Sequence, residues 1–137
     1  MLFYLSSDLI TQVSAIIDRL GLSWEEVTKE MKSWGPSFLR QVRRPDPNPS
    51  SEAFFCCLRV LKLELSGCRH LHLYTQRLNQ IRCDAALSFR DVADLLIPQS
   101  GHRVVARVLT GKRTPRMRTL LSLTCALDLH PVIGPSS

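Results

Sequence analysis

The chain repeats itself, and that limits its architecture more than any other feature. "LSWEEVTKEM" from Leu22 matches "LSFRDVADLL" from Leu87 at a shift of 65, pairing Leu22 with Leu87, Ser23 with Ser88, Trp24 with Phe89, Val27 with Val92 and Met31 with Leu96. After one inserted residue the match resumes at a shift of 66. Gly35 then meets Gly101, Leu39 meets Val105, Val42 meets Val108, Pro49 meets Pro115, Phe54 meets Leu120 and Leu61 meets Leu127. Upstream, Leu9, Val13 and Ile16 fall opposite Tyr74, Leu78 and Ile81. A fixed period of this kind marks two copies of one supersecondary unit. The expected subdomains are residues 1–66 and 67–137.

The periodicity within each copy is helical, and the expected fold class is all-α with about five short helices per copy. Leu9, Val13, Ile16, Ile17 and Leu20 recur at helical spacing behind Ser7 or Asp8 as N-cap, and Gly21 ends the first helix. Ser23 with Glu26, and Ser88 with Asp91, have the form of capping boxes that start the second helices at Trp24 and Phe89. Gly35-Pro36 and the Pro98 to Gly101 stretch break those helices. Third helices carry Phe38, Leu39 and Val42, or Val104, Val105 and Val108, on a buried side. Asn48-Pro49 and Thr114-Pro115 each read as an N-cap with proline at the first helical position. The fourth helices pack Phe54, Cys57, Leu58 and Leu61, or Leu120, Leu121, Leu123 and Leu127. A fifth helix has little room after "LKLEL", "HPVIGPSS" is expected to fray, and "LFYL" is a candidate short strand.

Charge separates the copies. Residues 1–65 hold eight Lys/Arg and eight Asp/Glu, whereas residues 66–137 hold ten and four, so the whole excess of +6 lies in copy two and implies an anionic partner there. Apolar runs such as "ADLLIP" are too short to span a bilayer, and "MLFYLSSDLI" has no basic region before its apolar run, so a cytoplasmic protein without membrane contact is expected. The five cysteines form no C-x-x-C pair, and reduced thiols are expected. "CRHLH", with Cys68, His70 and His72, and Cys83 beyond it, comes nearest to a metal site but lacks knuckle spacing. No metal or cofactor is expected.

Copy two, through "LSFRDVADLL…VVARVLTGKRTPRMRTLLSLTCALDL", resembles the Cro/C1-type, or XRE, lambda-repressor-like helix-turn-helix domains over about 45 residues. Copy one follows the pattern more loosely. The link between helices two and three is a residue or two longer than the family's, and the family's helix-two alanine is Ala93 in copy two but Thr28 in copy one. The resemblance implies that Gln99, Ser100, His102, Arg103, Ala106 and Arg107 of the recognition helix face base edges, arginine being matched to guanine. It also implies that Lys112, Arg113, Arg116 and Arg118, with a free helix N-terminus, face phosphate. The matching positions in copy one are Asp46, Pro47, Ser50 and Glu52, so that loop has lost every cation. Ser37, Arg40, Gln41, Arg43 and Arg44 are its secondary candidates, the arginines leaving the third helix basic.

The function these features imply is a sequence-specific transcriptional regulator, a repressor of bacterial, phage or mobile-element origin, bound to double-stranded operator DNA. Two geometries supply paired half-sites about 34 Å apart. Both copies can read one DNA, or copy two of each protomer reads while neutral copy one makes a homodimer or holds a protein partner; the charge asymmetry favours the second. Trp34 and "MLFYL" suit such a contact, although burial is the simpler role for each. The alternative function is a protein-binding antiactivator or adaptor that no longer reads DNA. No acid-base pair, nucleophile with a nearby base or Gly-rich phosphate loop stands at workable spacing, and "GKRTP" lacks the P-loop's preceding spacing, so an enzyme is not expected.

Overall fold

The computed structural model describes residues 5–96 and 99–136, and it is mainly helical. The order of elements is α1 (Ser6–Arg19), α2 (Trp24–Glu30), a 3-10 turn (Lys32–Trp34), α3 (Gly35–Val42), α4 (Ser51–Val60) and β1 (Leu63–Leu65). It then repeats as α5 (Leu71–Asp84), α6 (Phe89–Leu95), α7 (His102–Leu109), α8 (Met117–Ala126) and β2 (Ile133–Pro135). Among the described residues each half therefore has four α-helices and a strand, not five helices. "LEL" and "IGP" pair antiparallel, Glu64 opposite Gly134, because each strand supplies the backbone partners the other lacks. The expected fraying of the C-terminal segment does not hold for 133–135. The strand expected at "LFYL" lies outside the described residues except for Leu5, which is the N-cap of α1.

Local chemistry explains most helix ends. Ser23 Oγ accepts the Glu26 N–H at 3.1 Å while Glu26 Oε1 accepts the Ser23 N–H at 3.2 Å. Ser88 and Asp91 form the same box at 3.0 and 2.8 Å. These hydrogen bonds favour the charged carboxylate and hold Asp91 below the ordinary aspartate range. Asp8 is not the cap of α1; it sits one turn in, and its Oδ2 accepts the Leu5 N–H at 3.3 Å. At the far end Gly21 takes φ +71°, and the Leu22 N–H closes on the Ile17 carbonyl at 3.0 Å. Ala86 holds the matching left-handed position after α5, with the Leu87 N–H on the Arg82 carbonyl at 3.1 Å.

Gly35 and Pro36 do not separate two helices in the expected way. The 3-10 turn carries the chain from α2 almost directly into α3, of which Gly35 is the first residue. Glycine is required there because α3 crosses the end of α2 against the Thr28 carbonyl. In copy two the link is longer: α6 ends at Leu95 and α7 starts at His102, with Gly101 as an extended N-cap.

The two halves share one core. The first helix of each half packs on the fourth helix of the other, α1 on α8 and α5 on α4, and α4 also meets α8. Phe55 of α4 and Tyr74 of α5 lie with ring centroids 5.8 Å apart. Within the core, Tyr74 and Thr124 hydroxyls are 2.8 Å apart, and Thr124 donates to the Leu120 carbonyl, so Tyr74 is the donor between them. Burial also pushes the Cys57 thiol up to about 12, which leaves it a packing group.

Pro49 and Pro115 are not first helical residues. They stand two positions before α4 and α8, in segments that cross antiparallel at Ser50 and Arg116. The Ser51 N–H donates to the Pro115 carbonyl at 3.1 Å, and the Met117 N–H donates to the Pro49 carbonyl at 2.9 Å. These two bonds exchange places under the 66-residue shift, so the halves meet around a local two-fold. Each helix thus gives its first N–H to the other half.

Candidate nucleic-acid interface

Helix α7 is amphipathic because Val105, Val108 and Leu109 are buried against the core. Its opposite side leaves His102, Arg103 and Arg107 exposed and Ala106 half-buried between them. Upstream, Ser100 is half-buried, while Gln99 is exposed with its Nε2 donating to Asp94 Oδ1 at 3.3 Å, which ties it to α6. After α7, Gly111 enters the left-handed region at φ +78°, and the Lys112 and Arg113 N–H groups both return to the Arg107 carbonyl, at 2.8 and 3.1 Å. That turn projects Lys112 and Arg113 into solvent. Among the described residues none of Arg103, Arg107, Lys112 and Arg113 has a carboxylate within ion-pair distance.

Arg116 and Arg118 are placed differently. Arg116 Nη1 donates to the Asn48 carbonyl at 2.8 Å, and Arg118 Nη2 pairs with Asp46 Oδ2 at 2.8 Å. The N-terminus of α8 is not free: Pro49 takes the Met117 N–H, and Asn48 Oδ1 takes the Arg118 N–H at 3.0 Å. Asn48 thus caps a helix of the other half and not its own. Its N–H is held in turn by Gln41 Oε1 at 3.1 Å. Sequence reasoning named Asp46 and Asn48 but missed these roles, because their partners lie about seventy positions away.

In copy one, Ser37 and Arg40 are exposed on α3, whereas Gln41 is committed to the loop. Arg43 and Arg44 fall beyond the helix, which ends at Val42, and Arg43 pairs with Glu25 of α2. The third helix itself therefore presents one arginine. The CRHLH stretch does not gather ligands: among the described residues no three His, Cys, Asp or Glu side chains converge to hold a metal, and the described cysteines are unpaired. No described helix is long and apolar enough to cross a membrane.

Compared with protein-family models, with curated proteins and with solved structures, the chain matches none.

Proposed function

We propose that the chain is a sequence-specific DNA-binding regulator, a repressor acting by occupancy of its site, built from two lambda-repressor-like helix-turn-helix units. The observation that carries this reading is the row of cations with no ion-pair partner among the described residues, Arg103 and Arg107 on α7 and Lys112 and Arg113 on the turn after it. Helix α7 supplies the base-facing side chains and the turn supplies phosphate contacts. The two-fold contacts between the halves support a single chain that carries both units of a pair, the first of the two geometries above. A homodimer through copy one is the other, and stoichiometry separates them.

The test is titration of random duplex DNA at several salt concentrations, with sedimentation of the complex. Binding should weaken linearly in log-log form with a slope of roughly −2 to −4, as two to four phosphates are neutralised. One chain per site supports the paired-unit geometry and two support the homodimer. Absence of binding at low salt would sink the DNA reading and leave the protein-binding adaptor.

Asp46 opposes the polyanion directly. Its pair with Arg118 is exposed, with side chains 82% and 53% accessible, so it stabilises the fold by well under about 1 kcal/mol. Asp46→Asn should therefore free Arg118 for phosphate at little cost in stability. Affinity for random duplex is expected to rise by up to about tenfold near 0.1 M salt, with a slope steeper by as much as one unit. An unchanged slope would show that Arg118 does not reach DNA.

A further inference from the structure

A cleft of about 180 Å³ lies where the halves meet beside the 111–114 turn. Copy one contributes Trp34 and the α4 face with Glu52, Phe55 and Arg59; copy two contributes the start of α5 and Arg113. We propose that this cleft binds a small aromatic carboxylate.

Size, shape and charge each narrow the occupant. The volume is roughly that which accommodates one benzene-sized ring. Trp34, 39% exposed, offers an indole surface at the mouth, and Phe55, fully buried, lies behind the floor and backs it. Arg59 is held by a hydrogen bond from Nη1 to the Arg69 carbonyl at 3.1 Å, so its guanidinium is pre-organised. Among the described residues, Arg59 and Arg113 face only one carboxylate in the cleft, Glu52, and neither pairs with it. One positive charge is left over, which suits a monoanion with a planar head that arginine grips in a bidentate manner.

The rings of His70 and His72 stack at 5.5 Å on the same rim. Desolvation first, and then the positive charges of Arg59, His72 and Arg69, hold His70 below the ordinary histidine range. Duplication alone does not explain the cleft. At matched positions Trp34 is replaced by Ser100, Arg59 by Cys125 and Arg113 by Pro47, so the other half has no such set.

Binding itself does not depend on the DNA reading; its consequence does. A carboxylate that occupies Arg113 removes a phosphate contact, so the ligand should weaken DNA binding by at least about fivefold, and DNA should weaken ligand binding equally.

The experiment titrates the full chain with benzoate, with benzyl alcohol as its uncharged analogue and with inorganic phosphate, following Trp34 emission and the His70 and His72 ring resonances. Benzoate should saturate at roughly millimolar concentration, as expected for a ligand of its size. Benzyl alcohol and phosphate should bind at least about tenfold more weakly, and Arg113→Ala or Arg59→Ala should each weaken benzoate about fivefold or more. Trp34→Phe supplies the background emission. Three outcomes would each overturn the site: no saturation up to about 50 mM, equal response to benzoate and its uncharged or inorganic counterparts, or unchanged affinity in both arginine variants. Loss of DNA binding in the wild-type chain would remove only the regulatory consequence.

Discussion

Gly35→Ala should destabilise the chain by roughly 3 kcal/mol or more, while Gly101→Ala, the same substitution at the matched position, should cost under about 1 kcal/mol. A Cβ at Gly35 would clash with the Thr28 carbonyl oxygen and stand 2.9 Å from its carbon. The neighbour is helix backbone, and it is fixed further by the Thr28 Oγ1 hydrogen bond to the Trp24 carbonyl at 2.8 Å. It cannot rotate away as a flexible side chain would. Accommodation requires α3 to lift from α2, which loosens Phe38, fully buried and tilted against Trp24 at 6.0 Å. Among the described residues a Cβ at Gly101 meets nothing within 4 Å, and its φ is negative, so only the weaker N-capping of alanine counts there. Thermal unfolding should show a fall of about 10 °C for the first variant and a few degrees at most for the second. Equal shifts would mean that the close approach of α2 and α3 is not the constraint on Gly35.

That contrast marks how far a repeat can be read. Ser23 with Glu26 and Ser88 with Asp91 were legible because a capping box closes within four residues. The leucine and valine stripes were legible because their spacing alone selects a buried face. Asn48-Pro49 and Thr114-Pro115 carried the composition of local N-caps, but the groups that satisfy these helix ends belong to the opposite half, and no local pattern encodes them. The same holds for β1 and β2, three-residue strands whose ladder exists only once the ends of the two copies meet. In the candidate interface, sequence reasoning found the arginines and lysine but not their engagement. Gly111 marked the turn that leaves Lys112 and Arg113 exposed, whereas nothing near Arg118 announced Asp46.

The loss of Lys112 and Arg113 together should weaken DNA binding by about 100-fold at 0.1 M salt, if the proposed function holds. Each phosphate neutralised contributes about 0.9 to the slope of log affinity against log salt, hence about one decade at 0.1 M. Both side chains are exposed and among the described residues have no ion-pair partner, so none of that effect is absorbed by a broken intramolecular bridge. The loss should fall on all sequences alike, with the slope shallower by about two units. Arg103→Ala or Arg107→Ala should instead flatten the preference between sequences, costing ~1 to 3 kcal/mol if the contact is bidentate to guanine. The decisive comparison is Arg40→Ala with Arg43→Ala. Arg43 is already paired with Glu25, and α3 offers Arg40 alone from its exposed side. That double variant should lose no more than about tenfold. Should it abolish binding while Lys112, Arg113, Arg103 and Arg107 can all be replaced without loss, copy one is the reader and the charge asymmetry has been assigned to the wrong partner.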